Sequence, residues 1–443
     1  MNLSVEQLEE KVADLLAEAR KLGASAAEAA VSTNAGLSLT VRLGDVETIE
    51  HTRDQGLGVT VWFGQRKGSA STTDLGPDAL RETVARACTI ARHAAEDPCT
   101  GLADPERLAT DRATLDLDLH HPWPLSPEEA ADLARRCEAA ALDFDPQITN
   151  SEGATLTTGE GSFVYGNSLG FMGGYPTTRH SLSCIVMAKD GDSAQRDWWY
   201  DSRRAPEELA DPEAIGRTAG ERAIARLGAR KIATCEAPVL FRADVATGLA
   251  RALIGALRGH AQYRQASFLL DSLGEQVFPD WVRIHEDPLL PRGLASAPFD
   301  NEGVATRAQD FIHQGQVARY VLDSYSARKL GLQSTGNAGG ARNLAVESSG
   351  QSFDALLQRM DRGLVVTELM GQGVNPVTGD YSRGAAGFWV ENGAIAHPVE
   401  EITIAGNLRE MYRQLLAVGN DDQIPGSLRT GSWLIERMTI AGH

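Results

Sequence analysis

Basic residues are scarce in this chain. Forty-two Lys and Arg stand against 60 Asp and Glu, for a net charge of −18. Nucleic acid and anionic membranes both need a basic face, so the chain is not expected to bind either in a general way. A local basic patch stays open. No window approaches roughly 18 uninterrupted apolar residues, so no transmembrane helix is expected. The acidic opening, Met1-Asn2-Leu3-Ser4-Val5-Glu6, already follows a helical pattern and does not read as a signal peptide. Cysteine is sparse. Cys88, Cys99, Cys137, Cys184 and Cys235 form no CxxC pair, and none follows Cys235. An odd, scattered set reads as thiols in a reducing cytoplasm, not as a disulfide framework.

Metal and phosphate motifs are missing as well. None of the ten histidines has another four or five residues on, the spacing that puts two imidazoles on one helix face. His285-Glu286 opens like HExxH, but Leu289 holds the second-ligand position and Pro288 breaks the helix. His120-His121 point to different faces with no further ligands nearby, and read as exposed loop. No P-loop is present, and no GxGxxG follows a strand.

What is present is a long globular pattern. A length of 443 residues suggests two or three domains, and 42% hydrophobic residues can bury a sizeable core. Ser4 and Gln7 form a capping box for a first helix that Gly23 ends. Strands are expected at Ala26–Ser32, Leu37–Arg42, Val46–His51, Gly56–Phe63 and Arg66–Ser71, as an antiparallel meander. A helix follows at Pro77–Ala95. Asp97–Leu125, with four prolines, reads as a connector that one short strand at Asp116–Leu119 crosses. Ser126–Leu142 is a helix, with proline in its first turn. Period-two segments follow, from Ile148 through Trp198-Trp199-Tyr200. Pro212–Leu227 is a helix, and Ala229-Arg230-Lys231 a boundary. Beyond it come a strand at Pro238–Phe241, a helix capped by Asp244, strands at Ser267–Leu270, Asp310–Gln314 and Ala318–Asp323, and short helices at Ser326–Leu330 and Ser352–Arg359. Asn407–Val418 is a helix and Ser432–Ile440 a last strand. The expected class is α+β. The parts are an N-terminal α/β layer with an antiparallel sheet (1–120), a β-rich middle with flanking helices (121–232) and a β-rich C-terminal domain (233–443).

The most informative stretch is Gly363–Gly393. It opens as a buried strand at Leu364-Val365-Val366 and breaks at Gly371, Gly373, Asn375-Pro376 and Thr378-Gly379. It recovers at Gly387-Phe388-Trp389-Val390 and turns at Asn392-Gly393. Asn-Gly accepts the positive φ of a tight hairpin turn. Backbone this rich in glycine suits either an irregular hairpin or a surface that binds an extended partner through main-chain groups.

Together with Gly56-Leu57-Gly58-Val59 and Lys67-Gly68, several further motifs recur in order. They are Tyr263-Arg264-Gln265-Ala266-Ser267-Phe268, Phe299-Asp300-Asn301-Glu302-Gly303-Val304, Thr335-Gly336-Asn337-Ala338 and Met438-Thr439-Ile440-Ala441-Gly442. By these motifs nearly the whole chain resembles the TldD/PmbA family of bacterial metalloproteases, and within it the PmbA (TldE) branch. The resemblance implies a heterodimer of homologous subunits. One is a TldD-type catalytic subunit whose HExxxH helix and C-terminal cysteine hold a zinc or similar divalent ion. Here those positions fall near Ala250, Arg251 and Gly255, and the cysteine position near Ala417–Asn420. Alanine and glycine side chains do not coordinate, and arginine stays protonated. No catalytic or metal-binding residue and no cofactor is therefore expected in this chain.

The resemblance implies that the pair encloses a chamber for small or unfolded peptides. The stretch 371–387 and the loop 335–343 are the expected walls, with Arg264, Asn375 and Asp380 as candidate peptide-binding residues. Ordinary salt-bridge or turn roles are the alternative for these residues. The isolated chain would be free to form a homodimer. The family is also called a modulator of DNA gyrase, but nothing in the sequence shows contact with gyrase or DNA. Two other functions remain at this stage: a homodimeric peptide-binding adaptor or chaperone, and an autonomous hydrolase with a non-metal nucleophile such as cysteine.

Overall fold

A computed structural model describes residues 3–111, 115–191, 193–422 and 426–442. Met1, Asn2 and His443 lie outside these, as does the part of the connector at 112–114. The first half comprises α1 (Val5–Lys21), β1 (Ala26–Arg42), β2 (Asp45–Phe63), β3 (Arg66–Thr72), α2 (Pro77–His93), α3 (Pro127–Leu142), β4 (Ile148–Asn167), β5 (Met172–Asp190), β6 (Ser193–Arg203) and α4 (Pro212–Ala225). Ser4 caps α1 and Ser126 caps α3, each with a reciprocal box through Gln7 or Glu129.

The six strands form one antiparallel sheet in the order β3-β2-β1-β4-β5-β6. Because β1 pairs with β4, the parts on either side of residue 120 share this sheet. Several short strands expected from the sequence merge into long ones. Ala26–Ser32 and Leu37–Arg42 are both within β1, whose 17 residues at about 3.3 Å each run some 55 Å. Glycines at 36, 153, 159 and 161 look like breaks in the sequence. In the sheet they sit inside continuous ladders, with a register shift beside Gly153.

Alternation along β1 and β4 gives the sheet two different faces. Ala27, Ala29, Val31 and Val164 pack under α1 and α2, and Leu37, Leu39, Val41 and Leu156 under α3 and α4. Phe163 and Tyr165 turn the other way, toward Phe299 and Val304 of the second half. The connector shows no strand at Asp116–Leu119. Its carbonyls at Leu117 and Leu119 accept from Arg292 and Thr178, two unrelated segments, so no ladder can form.

The second half contains β7 (Cys235–Phe241), α5 (Ala243–Leu257), α6 (Gly259–Tyr263), β8 (Ile284–Glu286), β9 (Gln309–His313), β10 (Gln316–Val317), α7 (Ser324–Lys329), β11 (Leu344–Val346), α8 (Phe353–Met360), β12 (Gly363–Met370), β13 (Asp380–Glu391), β14 (Ala394–Asn407), α9 (Leu408–Arg413), β15 (Leu415–Val418), β16 (Leu428–Arg429) and β17 (Trp433–Ala441). Its main sheet runs β14-β13-β12-β7-β17-β15, and β14 also pairs with β17. Five strands thus close on themselves, which leaves those strands no free edge. The smaller sheet runs β10-β9-β8-β11-β16. The largest core fills the space between α5, α9 and these sheets, around Phe241, Leu249, Phe278, Tyr412 and Trp433.

Four expectations for this half change. Ser267–Leu270 is turn, and Ala318–Asp323 joins the fold through an isolated bridge at Val321 and not as a strand. Asn407–Val418 divides into a short helix and β15, because Leu415, Ala417 and Val418 pair with β17. Asp244 does not cap α5. The helix starts a residue earlier, and two arginines engage the Asp244 carboxylate. No described helix is long and apolar enough to cross a membrane.

Candidate functional site

Two of the motifs that carry the family resemblance, Phe299–Val304 and Thr335–Ala338, meet in an interior polar knot. Asp300 is fully buried, and its carboxylate accepts the backbone N–H groups of Glu302, Val304 and Ala338. Glu286 accepts from the side chains of Gln309 and Asn337 and from the backbone of Arg342. Burial, reinforced by the Glu302 charge, outweighs the three donors and pushes Asp300 up to about 7. This knot locks the loop 335–343 against β8 and β9. Asn337, at 4% exposure, is spent inside it.

The Gly363–Gly393 stretch is the β12–β13 hairpin and the turn into β14. Asn392 and Gly393 both take positive φ, 53° and 71°, as a two-residue turn with right-handed strand twist requires. At Gly387 a Cβ would lie 1.8 Å from the Val365 carbonyl, so close strand approach demands glycine there. Asn375 and Asp380 come together in the connecting turn. Asn375 Oδ1 accepts from the backbones of Val377 and Thr378. Asp380 accepts from the Thr378 hydroxyl and the Asn407 amide, which hold its pKa low. Both shape the turn. Arg264 is exposed at the end of α6, with its guanidinium over the Tyr263 ring. Phe268 donates its N–H to Pro376, so the segment after Arg264 does reach this turn.

A different part of the molecule concentrates charge. Between β6 and α4 on one side and α5, β12 and β13 on the other lies a cavity of about 590 Å³. Six arginines (179, 196, 222, 226, 251 and 383) and three carboxylates (Asp197, Asp244 and Glu368) line it. The carboxylates are already matched. Arg222 bridges Asp197 at 3.0 Å and Asp244 at 3.1 Å, and Arg226 bridges Asp197 and Glu368. Arg242 holds Asp244 through two further bonds. Burial alone would raise Asp244, but these two guanidiniums win and lower its pKa. Arg196 pairs outward with Glu152.

Arg179, Arg251 and Arg383 have no carboxylate partner among the described residues. Arg179 donates to the Ser202 hydroxyl. Arg383 reaches the Leu369 carbonyl only at 3.5 Å, and its buried Nε has no hydrogen bond of ordinary geometry, although the guanidinium interacts with the Tyr381 hydroxyl. Arg251 has neither an ion pair nor a hydrogen bond among the described residues. Trp198, Trp199 and Tyr200 run along the same cavity, with the Trp198 and Tyr200 rings 5.4 Å apart.

Arg251 stands on α5 where the family resemblance puts a metal ligand. Ala250 beside it is buried, and Gly255 opens onto free space. The donor set does not fit a divalent cation: guanidiniums offer only N–H donors, and the carboxylates within reach are committed to arginines. Among the described residues no group of three or more His, Cys, Asp or Glu is arranged to hold a metal. His120 and His121 lean on separate partners, Glu160 and Asp118. A GxSxG was not expected from the sequence, yet Gly166-Asn167-Ser168-Leu169-Gly170 has that spacing, the spacing of a nucleophile elbow. It forms the β4–β5 hairpin turn and not a strand-to-helix turn, and Ser168 Oγ accepts from Ala27.

Sequence reasoning reached Arg251 through the resemblance. It missed Arg179 on β5, Arg222 and Arg226 four residues apart at the end of α4, and Arg383 on β13, three elements that lie far apart along the chain. The signal it did register was the Trp198-Trp199-Tyr200 run.

Models of the PmbA/TldA metallopeptidase match domain 1 over residues 27–91, the central domain over 120–227 and the C-terminal domain over 234–442. The chain is 52% identical over 417 residues to Metalloprotease PmbA of Escherichia coli O157:H7, covering 94% of this chain and 92% of that one. It is 45% identical to a Metalloprotease PmbA homolog of Haemophilus influenzae, covering 99% and 97%. Among solved structures, a protein of Bacteroides thetaiotaomicron described as a candidate modulator of DNA gyrase superposes with a TM-score of 0.92. It is 28% identical, covering 98% of this chain and 99% of that one.

Proposed function

This chain belongs to the PmbA/TldA metallopeptidase family, and on that premise we propose that it is the subunit without a metal of its own. It pairs with a homologous TldD-type subunit, in the cytoplasm, and forms part of a chamber that admits small or unfolded peptides. The partner supplies zinc or a similar divalent ion. This chain contributes placement: a scissile bond held in one geometry reacts faster than one that samples many. No hydrolytic step is assigned to its own residues.

The observation that carries this reading is α5. Its register sets buried Ala250, cationic Arg251 and open Gly255 at the implied ligand positions. A fixed positive charge there opposes a cation directly. The names of the PmbA relatives supply the link to proteolysis.

Peptidase assays on an unfolded peptide test the reading, with this chain alone, the catalytic homologue alone, and the two mixed. Expected is cleavage by the mixture above either part, abolished by a chelator, with no stoichiometric zinc in this chain alone. Chelator-resistant cleavage by this chain alone, lost on thiol alkylation, would instead make it an autonomous hydrolase. Failure to associate with the homologue would leave a peptide-binding adaptor.

A further inference from the structure

We propose that the arginine-lined cavity at the α5–β6 junction is a binding site for a carboxylate of an extended peptide. This rests on the peptide-chamber reading and names what the chamber selects.

The charge balance carries the inference. Six guanidiniums face three carboxylates, and those three are bonded by Arg222, Arg226 and Arg242. Arg179, Arg251 and Arg383 are left as a surplus of positive charge in a chain whose net charge is −18. Like charges gathered in a partly desolvated recess repel, and an anion between them relieves that repulsion. Arginine is the side chain whose planar fork matches a carboxylate with two parallel bonds. The buried Nε of Arg383, with no hydrogen bond of ordinary geometry, marks a donor that the fold itself does not fully satisfy.

The committed acids in the same wall argue for a monoanion. Asp197, Asp244 and Glu368 would repel a phosphate chain more strongly than a single carboxylate. The aromatic run adds a second contact. Trp198 and Tyr200 are two apart on a strand and therefore share a face. Their tilted rings offer an apolar strip to the residues next to the carboxylate. A terminal carboxylate and an Asp or Glu side chain present the same chemistry here.

Fluorescence anisotropy on the full chain without its partner tests this. The probe is one unstructured peptide lacking Asp and Glu, labelled at its N-terminus, as free acid and as C-terminal amide. A second amide carries one internal Glu, and a third carries Gln in its place. Expected is roughly tenfold tighter binding of the free acid than of the plain amide. R251Q and R383Q each erase that preference, while R86Q, on α2 and away from the cavity, keeps it. Arg251 is exposed and unpartnered among the described residues, so R251Q removes no bond on which folding depends.

If the Glu amide alone binds tightly, the occupant is a side-chain carboxylate and the site stands. Equal binding of all four peptides, absence of binding, or retained preference in both arginine variants overturns it. So does a single-stranded oligonucleotide that competes as well as the free acid. The readout involves this chain only. Lost cleavage in the mixed assay with the free-acid preference intact would therefore sink the two-subunit reading and not this site.

Discussion

Asp300 shows how one buried charge tunes the molecule. Its folded pKa is raised to about 7 from an ordinary 3.8, so between those values the folded state holds a proton that the unfolded state has released. Stability linked to Asp300 is complete below about pH 4 and is lost as pH rises through 7. Burial raises Glu286 and Glu302 as well, in the same direction. D300N removes the titration. Urea midpoints measured from pH 4 to pH 8 should therefore show wild type losing stability relative to D300N up to about pH 7, then a constant gap. A gap that does not change with pH would mean that Asp300 is ionised throughout. This residue was legible only as part of a motif. The sequence gives Asp300 and Asn337 no visible link, since 37 positions separate them and the knot forms only when β8, β9 and the 335–343 loop meet. Asn375 and Asp380 were legible as turn residues, because a short polar side chain bonding its own backbone is a local event.

At the scale of elements, the clearest signals were those completed within a few residues. The Ser4 capping box, the helix opened at Ser126 and the Asn392-Gly393 turn appear where the sequence puts them. Long strands were harder. A glycine reads as a break, yet a neighbouring ladder on each side carries β4 straight through Gly159 and Gly161. Glycines in helices divide in the same way between packing and chance. A Cβ at Gly216 of α4 would sit 1.9 Å from the Cys137 carbonyl of α3, whereas Gly255 of α5 has nothing within 4 Å. Helix propensity favours alanine by about 1 kcal/mol at either site. At Gly216 the clash is with backbone, which cannot swing aside, and forced overpacking costs roughly 1–3 kcal/mol. G216A should therefore lower unfolding free energy by the difference, up to about 2 kcal/mol, while G255A should raise it by up to about 1 kcal/mol. Denaturant titration of both variants reads the difference. A stabilised G216A would show that α3 and α4 can slide apart freely.

In the whole molecule two halves meet at an aromatic joint, at a set of straps and at the ion pairs of the cavity. Phe299 of the second half is fully buried against Phe171, Tyr175 and Phe163 of the long sheet, with ring centroids 5.2, 5.6 and 6.3 Å away. The described residues of the Pro-rich connector are tied to the second half. Asp97 accepts from Tyr325, Asp104 from Arg328 and Asp118 from Arg292, while Arg107 donates to Ser334. The two ion pairs among them, Asp104–Arg328 and Asp118–Arg292, are partly exposed, and such pairs contribute at most about 1 kcal/mol each. Removing a buried phenyl group costs roughly 3–5 kcal/mol, so the joint outweighs any one strap. The cavity between β6 and α5 lies across the same division and depends on both halves keeping their places. F299A should therefore do more than lower the melting temperature. It should split the calorimetric transition into two, speed proteolysis in the 97–118 connector, and weaken free-acid peptide binding without touching a cavity residue. A single transition displaced as a whole, with binding unchanged, would show that the straps and the cavity ion pairs keep the two halves in register.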